Sequence, residues 1–388
     1  MKLRGRILYL TEDPNQIAAQ FGGTDLRLSA DADMHYGVNT DAMISGRACT
    51  LGYTPTILGP YFLENFKETV AKDDVRTGGF QVIVGGDAYG SGSSREVAVV
   101  AHQGAGIELV IARSFQRIFQ ENMVYAGMPF TTDYGVVDRL RAGEDIDVVA
   151  FFDELPPFFN QVASIGGLLP YGNAWLAGKV DPWYETETEA RPLNVVEKIC
   201  AARAWAGGRP GVGDGPKFGI SSVAPGDQVL CRAGFRGMHE YTAGMVMALY
   251  EEAFGRVPVQ DPDQCAAFED HFVLIDEPTV PDAVKAARLG PARQLAAEME
   301  QACTHHGIRL HGPGRDHQAG VCHRIVVEEY ARPGDVVVLT DSHSPTAGVL
   351  NAFAFGVGST AMAFALRTGL IPVTVPKVVR VVVSGDAK

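Results

Sequence analysis

A chain of 388 residues, 46% hydrophobic and 20% charged, is ordinary for a globular protein and long enough for two or three domains, each with its own core. The net charge of −13 disfavours general attraction to nucleic acid or to an anionic membrane. Before Thr11 and Glu12 the N-terminal stretch offers only a short apolar run, too short for a signal peptide or a membrane span, so a cytoplasmic location is expected.

Residues 1–150 read as alternating strands and helices. FQVIVGG (80–86) predicts a strand, a Gly/Ser turn follows, and SREVAVVAHQGA predicts a helix. ELVIA (108–112) predicts the next strand, and SFQRIFQENMVYAG has helical spacing ending at Gly127. Such alternation implies an α/β layered domain. Residues 151–190 change character: FFDELPPFF, a Gly/Pro-containing stretch and the acidic ETETEAR predict a connector packed on the surface, or a few short elements, rather than a domain. From Pro192 to the end at 388 the pattern regularises. NVVEKICAARAWAG predicts a helix and GRPGVGDG a turn-rich link. TAGMVMALYEEAFG and ARQLAAEMEQACTHHG predict helices, and DVVVLT and KVVRVVVSG predict strands. There is no internal repeat. The six cysteines (Cys49, Cys200, Cys231, Cys265, Cys303 and Cys322) are widely spaced, with no C-x-x-C pair. A disulfide framework is not expected, and most of these thiols should be small buried residues.

The most informative segment is Gly85-Gly86-Asp87-Ala88-Tyr89-Gly90-Ser91-Gly92-Ser93-Ser94-Arg95-Glu96. Small residues between a strand and a helix let backbone N–H groups converge on an anion, with the helix dipole adding positive potential. Arg95 in the first helical turn opposes that dipole at a cost of roughly a few tenths of a kcal/mol, which a carboxylate clamp would explain. The same residues could also form an ordinary capped helix behind a loop. A dinucleotide loop fits poorly, because Arg95 occupies the third glycine position of G-x-G-x-x-G.

YGSGSSREVAVVAHQGAGIELVIARSFQRIFQENMVYAGMPF resembles the swivelling domain of aconitases and the small subunit of isopropylmalate dehydratases. Its G-S-G-S-S-R-E turn, I-A-R-S-F segment and I-F-x-x-N helix carry the likeness, and residues 37–47, ending in Arg47, are similar to that family's opening motif. Val97 departs from the histidine usual at its position. The second half resembles the first domain of the large subunit. Here stand Asp341-Ser342-His343 followed by FGVGS, the pair Asp270-His271, Gly320-Val321-Cys322-His323, and His239-Glu240-Tyr241-Thr242. The resemblance implies an α/β chain in which a swivelling β/β/α three-layer domain (1–150) precedes a connector (151–190) and part of an α/β/α three-layer catalytic domain (191–388).

It also implies chemistry: dehydration and rehydration of a malate- or citrate-like hydroxy-polycarboxylate. Removing a C–H proton beside a carboxylate and expelling hydroxide needs a base, a proton donor and charge stabilisation. By resemblance Ser93 is the base, and Arg95 binds a carboxylate bidentately, as a lysine could not. Ser94, Ser342 and Arg47 become substrate-binding residues. The proton donors are the pairs Asp270 with His271 and Asp341 with His323, together with His343, whose carboxylate is expected from outside this chain. Thr242-Ala243-Gly244 departs from the glutamine-bearing turn of aconitase proper, which argues against citrate. The region just after Arg47, residues 48–53, aligns with the loop that tunes side-group specificity. A lone histidine is ordinarily a core or surface residue, and His305, His306, His311 and His317, outside any motif, are expected at the surface.

Family members hold a 4Fe-4S cluster on three cysteines that include a C-x-x-C pair. This chain has no such pair, so no metal ligands are expected within it. Three explanations stand: a second subunit carries the cluster, the chain is a fragment of a longer enzyme, or it is a divergent member without a cluster. The last leads to the alternative of a non-catalytic scaffold or regulatory binding protein.

Overall fold

A computed structural model describes residues 5–29, 32–49, 51–92, 96–181, 184–315, 317–382 and 384–385. The first half is built on a parallel sheet of four strands in sequence order, β1 (Arg6–Tyr9), β2 (Phe80–Gly85), β3 (Leu109–Ala112) and β4 (Phe130–Thr131). Side chains alternate along each strand, so Ile83 and Val110 join one apolar cluster while Val82, Val84, Leu109 and Ile111 join another. Burial on both faces accounts for the unbroken apolar runs that made β2 and β3 legible. Of the second β layer implied for this half, the described residues hold only isolated bridges, such as Asn39 with Ser91 and Tyr89 with Phe115.

The span 151–190 is not a surface connector: it holds two short helices, Pro157–Ser164 and Leu168–Leu176, each packed into the main core through apolar side chains, with Tyr171 and Trp175 fully buried. The predicted helix after Pro192 stops at Arg203, capped at its start by a reciprocal Asn194–Glu197 box. The expected turn-rich link is instead a hairpin, β5 (Trp205–Arg209) paired antiparallel with β6 (Val212–Phe218).

Beyond it, β7 (Gln228–Arg232) will pair with the last strand, and β8 (Phe235–His239), β9 (Cys265–Phe268), β10 (Arg309–His311), β11 (Val336–Leu339) and β12 (Phe353–Gly356) form a second parallel sheet. Its order is β10-β9-β8-β11-β12. Val336 and Val338 face the main core, and Val337 and Leu339 face a separate cluster with Phe235, so this sheet too is covered on both faces. The main cluster runs from Leu8 and Ile83 in the first half to Phe364 and Ile371 in the second, so the two halves share one core. The helix expected from Ala292 begins ten residues earlier, spanning Asp282–His306 with Pro291 inside it.

The predicted strand KVVRVVVSG is not one. The last strand, β13 (Leu370–Thr374), pairs antiparallel with β7, and Val378, Val379, Val381 and Val382 beyond it are exposed. Strand propensity needs a neighbouring edge to be realised, and among the described residues this segment has none. No helix among the described residues is long and apolar enough to cross a membrane.

Candidate active site

The order of the second sheet decides where a site can form. From β8 the chain proceeds outward through β9 and β10 on one side, and β11 and β12 occupy the other, so the order reverses between β8 and β11. In open parallel sheets a crevice opens beyond the carboxyl ends of the strands at such a point. His239 ends β8, and Thr340 and Asp341 follow β11 directly. Across that gap the His239 ring nitrogen Nε2 donates to the Thr340 carbonyl at 3.1 Å, and the Thr242 and Thr340 hydroxyls meet at 2.5 Å. The loop after β9 supplies Asp270 and His271. It is pinned by Glu240, whose carboxylate accepts the backbone N–H of Asp270 at 3.0 Å and of Phe272 at 2.8 Å.

Two clusters result. In one, His271 Nδ1 lies 3.6 Å from Asp270, and the His271 ring lies 4.2 Å from that of His239. Burial, with the neighbouring His271 adding to it, pushes His239 down to about 3. In the other, the buried Asp341 carboxylate takes His323 Nδ1 at 3.2 Å and the His343 backbone N–H at 3.0 Å. Ser342 Oγ lies 3.2 Å from His343 Nδ1, and the His323 and His343 rings stack at 5.0 Å. Asp341 Oδ1 also lies 3.8 Å from His343 Nδ1, so one aspartate stands beside both histidines within this chain. Cys322 sits between the clusters, its buried thiol raised by desolvation and by the charges of Asp270 and Asp341.

Of these groups, His239, His271, Asp341 and Ser342 face a space shared with the first half. One cleft of about 1090 Å³ is lined by Arg47, Glu96 and Val97 from the first half and by His271, Asp341 and Ser342 from the second. Ser93, Ser94 and Arg95 lie outside the described residues. Their neighbour Glu96 is buried and accepts the Thr360 N–H at 2.8 Å and the Thr360 hydroxyl, capping the helix Ser359–Thr368 from 264 positions away. The F-G-V-G stretch permits this: a Cβ on Gly358 would stand 2.4 Å from the Glu96 carboxylate. The Tyr241 hydroxyl donates to the Gly46 carbonyl at 3.2 Å, a second tie beside the cleft.

Before the shared strand ends are considered, neither His239 nor Glu96 stands out as more than a letter in a motif. Two histidines expected at the surface are in the interior. His311 is stacked on Phe268 and bonded to the Tyr330 hydroxyl at 2.5 Å, and His306 packs against Tyr250, whereas His305 is exposed.

His102 is buried as well, between the Ala98 carbonyl and the Tyr89 hydroxyl, and burial lowers it to about 4. With folded values depressed below the ordinary histidine range, the stability that His102 and His239 contribute is complete above about pH 6.5 and is lost as pH falls toward those values. In an NMR titration both rings are expected to stay neutral from about pH 8 to about pH 5; protonation of either in that range would contradict this burial.

An iron–sulfur cluster needs convergent thiolates. All six cysteines are buried. Burial pushes Cys265 up to about 11 and Cys303 up to about 12, while a hydrogen bond with Cys200, together with burial, raises Cys231. Among the described residues, the one group of candidate metal-binding side chains that contains a cysteine is Cys322, His323 and Asp341. These cysteines do not fit a cluster. The other such groups are His239, Glu240, His271 and His311, His317, Glu329.

Comparison with known proteins gives two family matches. Residues 223–388 match the aconitase family (aconitate hydratase), and residues 65–132 match the aconitase C-terminal domain. The chain is 36% identical to the isopropylmalate/citramalate isomerase small subunit of Methanocaldococcus jannaschii, over 34% of this chain and 86% of that one. It is 34% identical to the 3-isopropylmalate dehydratase large subunit of Pyrobaculum aerophilum, over 42% of this chain and 35% of that one. The chain thus spans about a third of the length of that large subunit. A solved 3-isopropylmalate dehydratase from Methanocaldococcus jannaschii aligns with 28% identity and a TM-score of 0.27, covering 36% of this chain and 89% of that one.

Proposed function

The chain belongs to the aconitase and isopropylmalate dehydratase superfamily, with small-subunit-like sequence placed ahead of large-subunit-like sequence, and on that premise we propose that it forms part of a hydro-lyase. Its substrate would be a small hydroxy-polycarboxylate, dehydrated and rehydrated so that the hydroxyl moves between neighbouring carbons. The observation that carries this reading is the cleft shared by the two halves. It is lined by Arg47 and Glu96 from the first half and by His271, Asp341 and Ser342 from the second.

In this scheme Arg47 and Arg95 bind substrate carboxylates, with Ser94 and Ser342 as hydrogen-bonding partners. Ser93 removes the C–H proton. Asp341 orients His323 and stands beside His343, and Asp270 stands beside His271; these rings deliver a proton to the departing hydroxyl. The cysteines of this chain do not fit the cluster that the family uses, so no step is assigned to one here. We place the cluster on a second subunit that joins this chain in the cytoplasm.

Reconstituting the protein with its co-purifying partner under anoxic conditions and assaying substituted malates tests the reading. Ser93→Ala is expected to abolish turnover while leaving the unfolding midpoint unchanged. Retained turnover would remove Ser93 from its role, and a wild-type assembly inactive on every hydroxy acid would favour the scaffold alternative.

A further inference from the structure

Outside the cleft, one cluster of titratable side chains combines two imidazoles with a carboxylate. His311, His317 and Glu329 place their donor atoms within 4.8 Å of one another, and none of the three lines the cleft. They come from separate places. His311 ends the edge strand β10, His317 lies on the return that follows it, and Glu329 belongs to the π-helical turn Val326–Tyr330. Single π turns are frequent at functional sites.

His311 is already oriented as a metal ligand is. A carbonyl can only accept, so Nδ1 carries a proton and donates to the Gln318 carbonyl at 3.2 Å. In the neutral ring this leaves the lone pair on Nε2, which lies 4.0 Å from Glu329 Oε2. Stacking on Phe268, with centroids 4.8 Å apart, holds the ring plane, and the His317 ring stands 4.9 Å away. The Tyr330 hydroxyl covers the lone pair at 2.5 Å, and Arg309 donates to that hydroxyl at 3.3 Å. The hydroxyl therefore keeps a partner when a metal displaces it, and the Glu329 carboxylate offsets the Arg309 charge.

We propose that His311, His317 and Glu329 form a site for a divalent metal of the zinc type, which staples the edge strand β10 to the turn Val326–Tyr330. Two imidazoles and a carboxylate suit zinc, whereas calcium and magnesium favour oxygen donors. Tetrahedral ligands about 2.1 Å from a metal lie about 3.4 Å apart, so the exposed Glu329 and the partly exposed His317 must draw inward by about 1 Å while the buried His311 stays in place. The return that carries His317 closes on itself, with the Gly312 N–H donating to the His317 carbonyl at 3.0 Å. It runs on to Gly320, whose N–H donates to the Glu269 carbonyl at 3.2 Å, and Val321, Cys322 and His323 follow directly. A metal here steadies the approach to His323 from outside the cleft. The site stands independently of the hydro-lyase reading.

The test is isothermal titration of zinc into the protein as purified, together with any polypeptide that accompanies it, after dialysis against a chelator. Wild type is expected to bind zinc at least about tenfold more tightly than His317→Ala or Glu329→Gln, and to bind magnesium far more weakly. Both substituted side chains reach solvent, so the metal-free unfolding midpoints of the variants should match wild type. Zinc should then raise the midpoint of wild type more than that of either variant. Zinc bound equally by all three proteins would place the metal elsewhere. No binding by wild type would leave the three residues an ordinary polar cluster. Either result overturns the site.

Discussion

Asp341→Asn is expected to lower turnover of the reconstituted enzyme by about 10²- to 10⁴-fold, the usual range for a lost acid–base group. The reason is that one carboxylate serves two histidines. Oδ2 of Asp341 accepts from both His323 Nδ1 and the His343 backbone N–H, while Oδ1 lies beside His343 Nδ1. An amide has one accepting atom. If its oxygen stays with the His343 N–H, the amide nitrogen meets His343 Nδ1, and neither protonated ring keeps an opposing charge. The side chain is buried but nearly isosteric with its replacement, so the unfolding midpoint is expected to hold. A rate within threefold of wild type would show that the shared aspartate does not support the proton donors.

The second large effect concerns the tie between the halves. Glu96→Ala removes the acceptor of the Thr360 N–H and hydroxyl and leaves both buried, which should cost about 2–3 kcal/mol of unfolding free energy. Glu96→Gln is expected to behave differently. Burial raises the Glu96 carboxyl above its ordinary value, only partly offset by the Thr360 and Ser359 hydrogen bonds. With a raised folded value, its contribution is complete below about pH 4.5 and is lost as pH rises through that folded value. Glutamine keeps the shape and an accepting oxygen without an ionisable group. It should therefore equal or exceed wild type at neutral pH and show a flatter dependence on pH. Chemical denaturation of the three proteins at two pH values measures this, and a Glu96→Ala loss below about 0.5 kcal/mol would mean that the latch contributes little.

What could be read from sequence followed physical lines. β2, β3 and β11 are apolar runs because both faces of each parallel sheet are covered, and such runs stand out. β8, with the sequence FRGMH, carries an arginine, a glycine and a histidine, yet every residue of it is buried. The two terminal nitrogens of its Arg236 donate to the carbonyls of Gln260, Asp261 and Ala365, contacts distant in sequence that no local pattern encodes. KVVRVVVSG fails in the opposite sense, with strand composition and, among the described residues, no edge to pair with. The Asp–His motifs were legible as family letters, but their grouping was not. It depends on the reversal of strand order between β8 and β11, which brings residues about a hundred positions apart to one crevice. For the same reason the approach of Asp341 to His343 Nδ1, at 3.8 Å, is not written in the D-S-H letters themselves.

The central claim is that groups from both halves close on one acid. A crystal structure with a bound substituted malate tests it most directly. The expected result is a ligand whose carboxylates meet Arg47 and Arg95 on one side while its hydroxyl faces the histidines beside Asp341 and Asp270 on the other. A ligand held by one half alone, with the 93–95 segment turned to a separate surface, would contradict it.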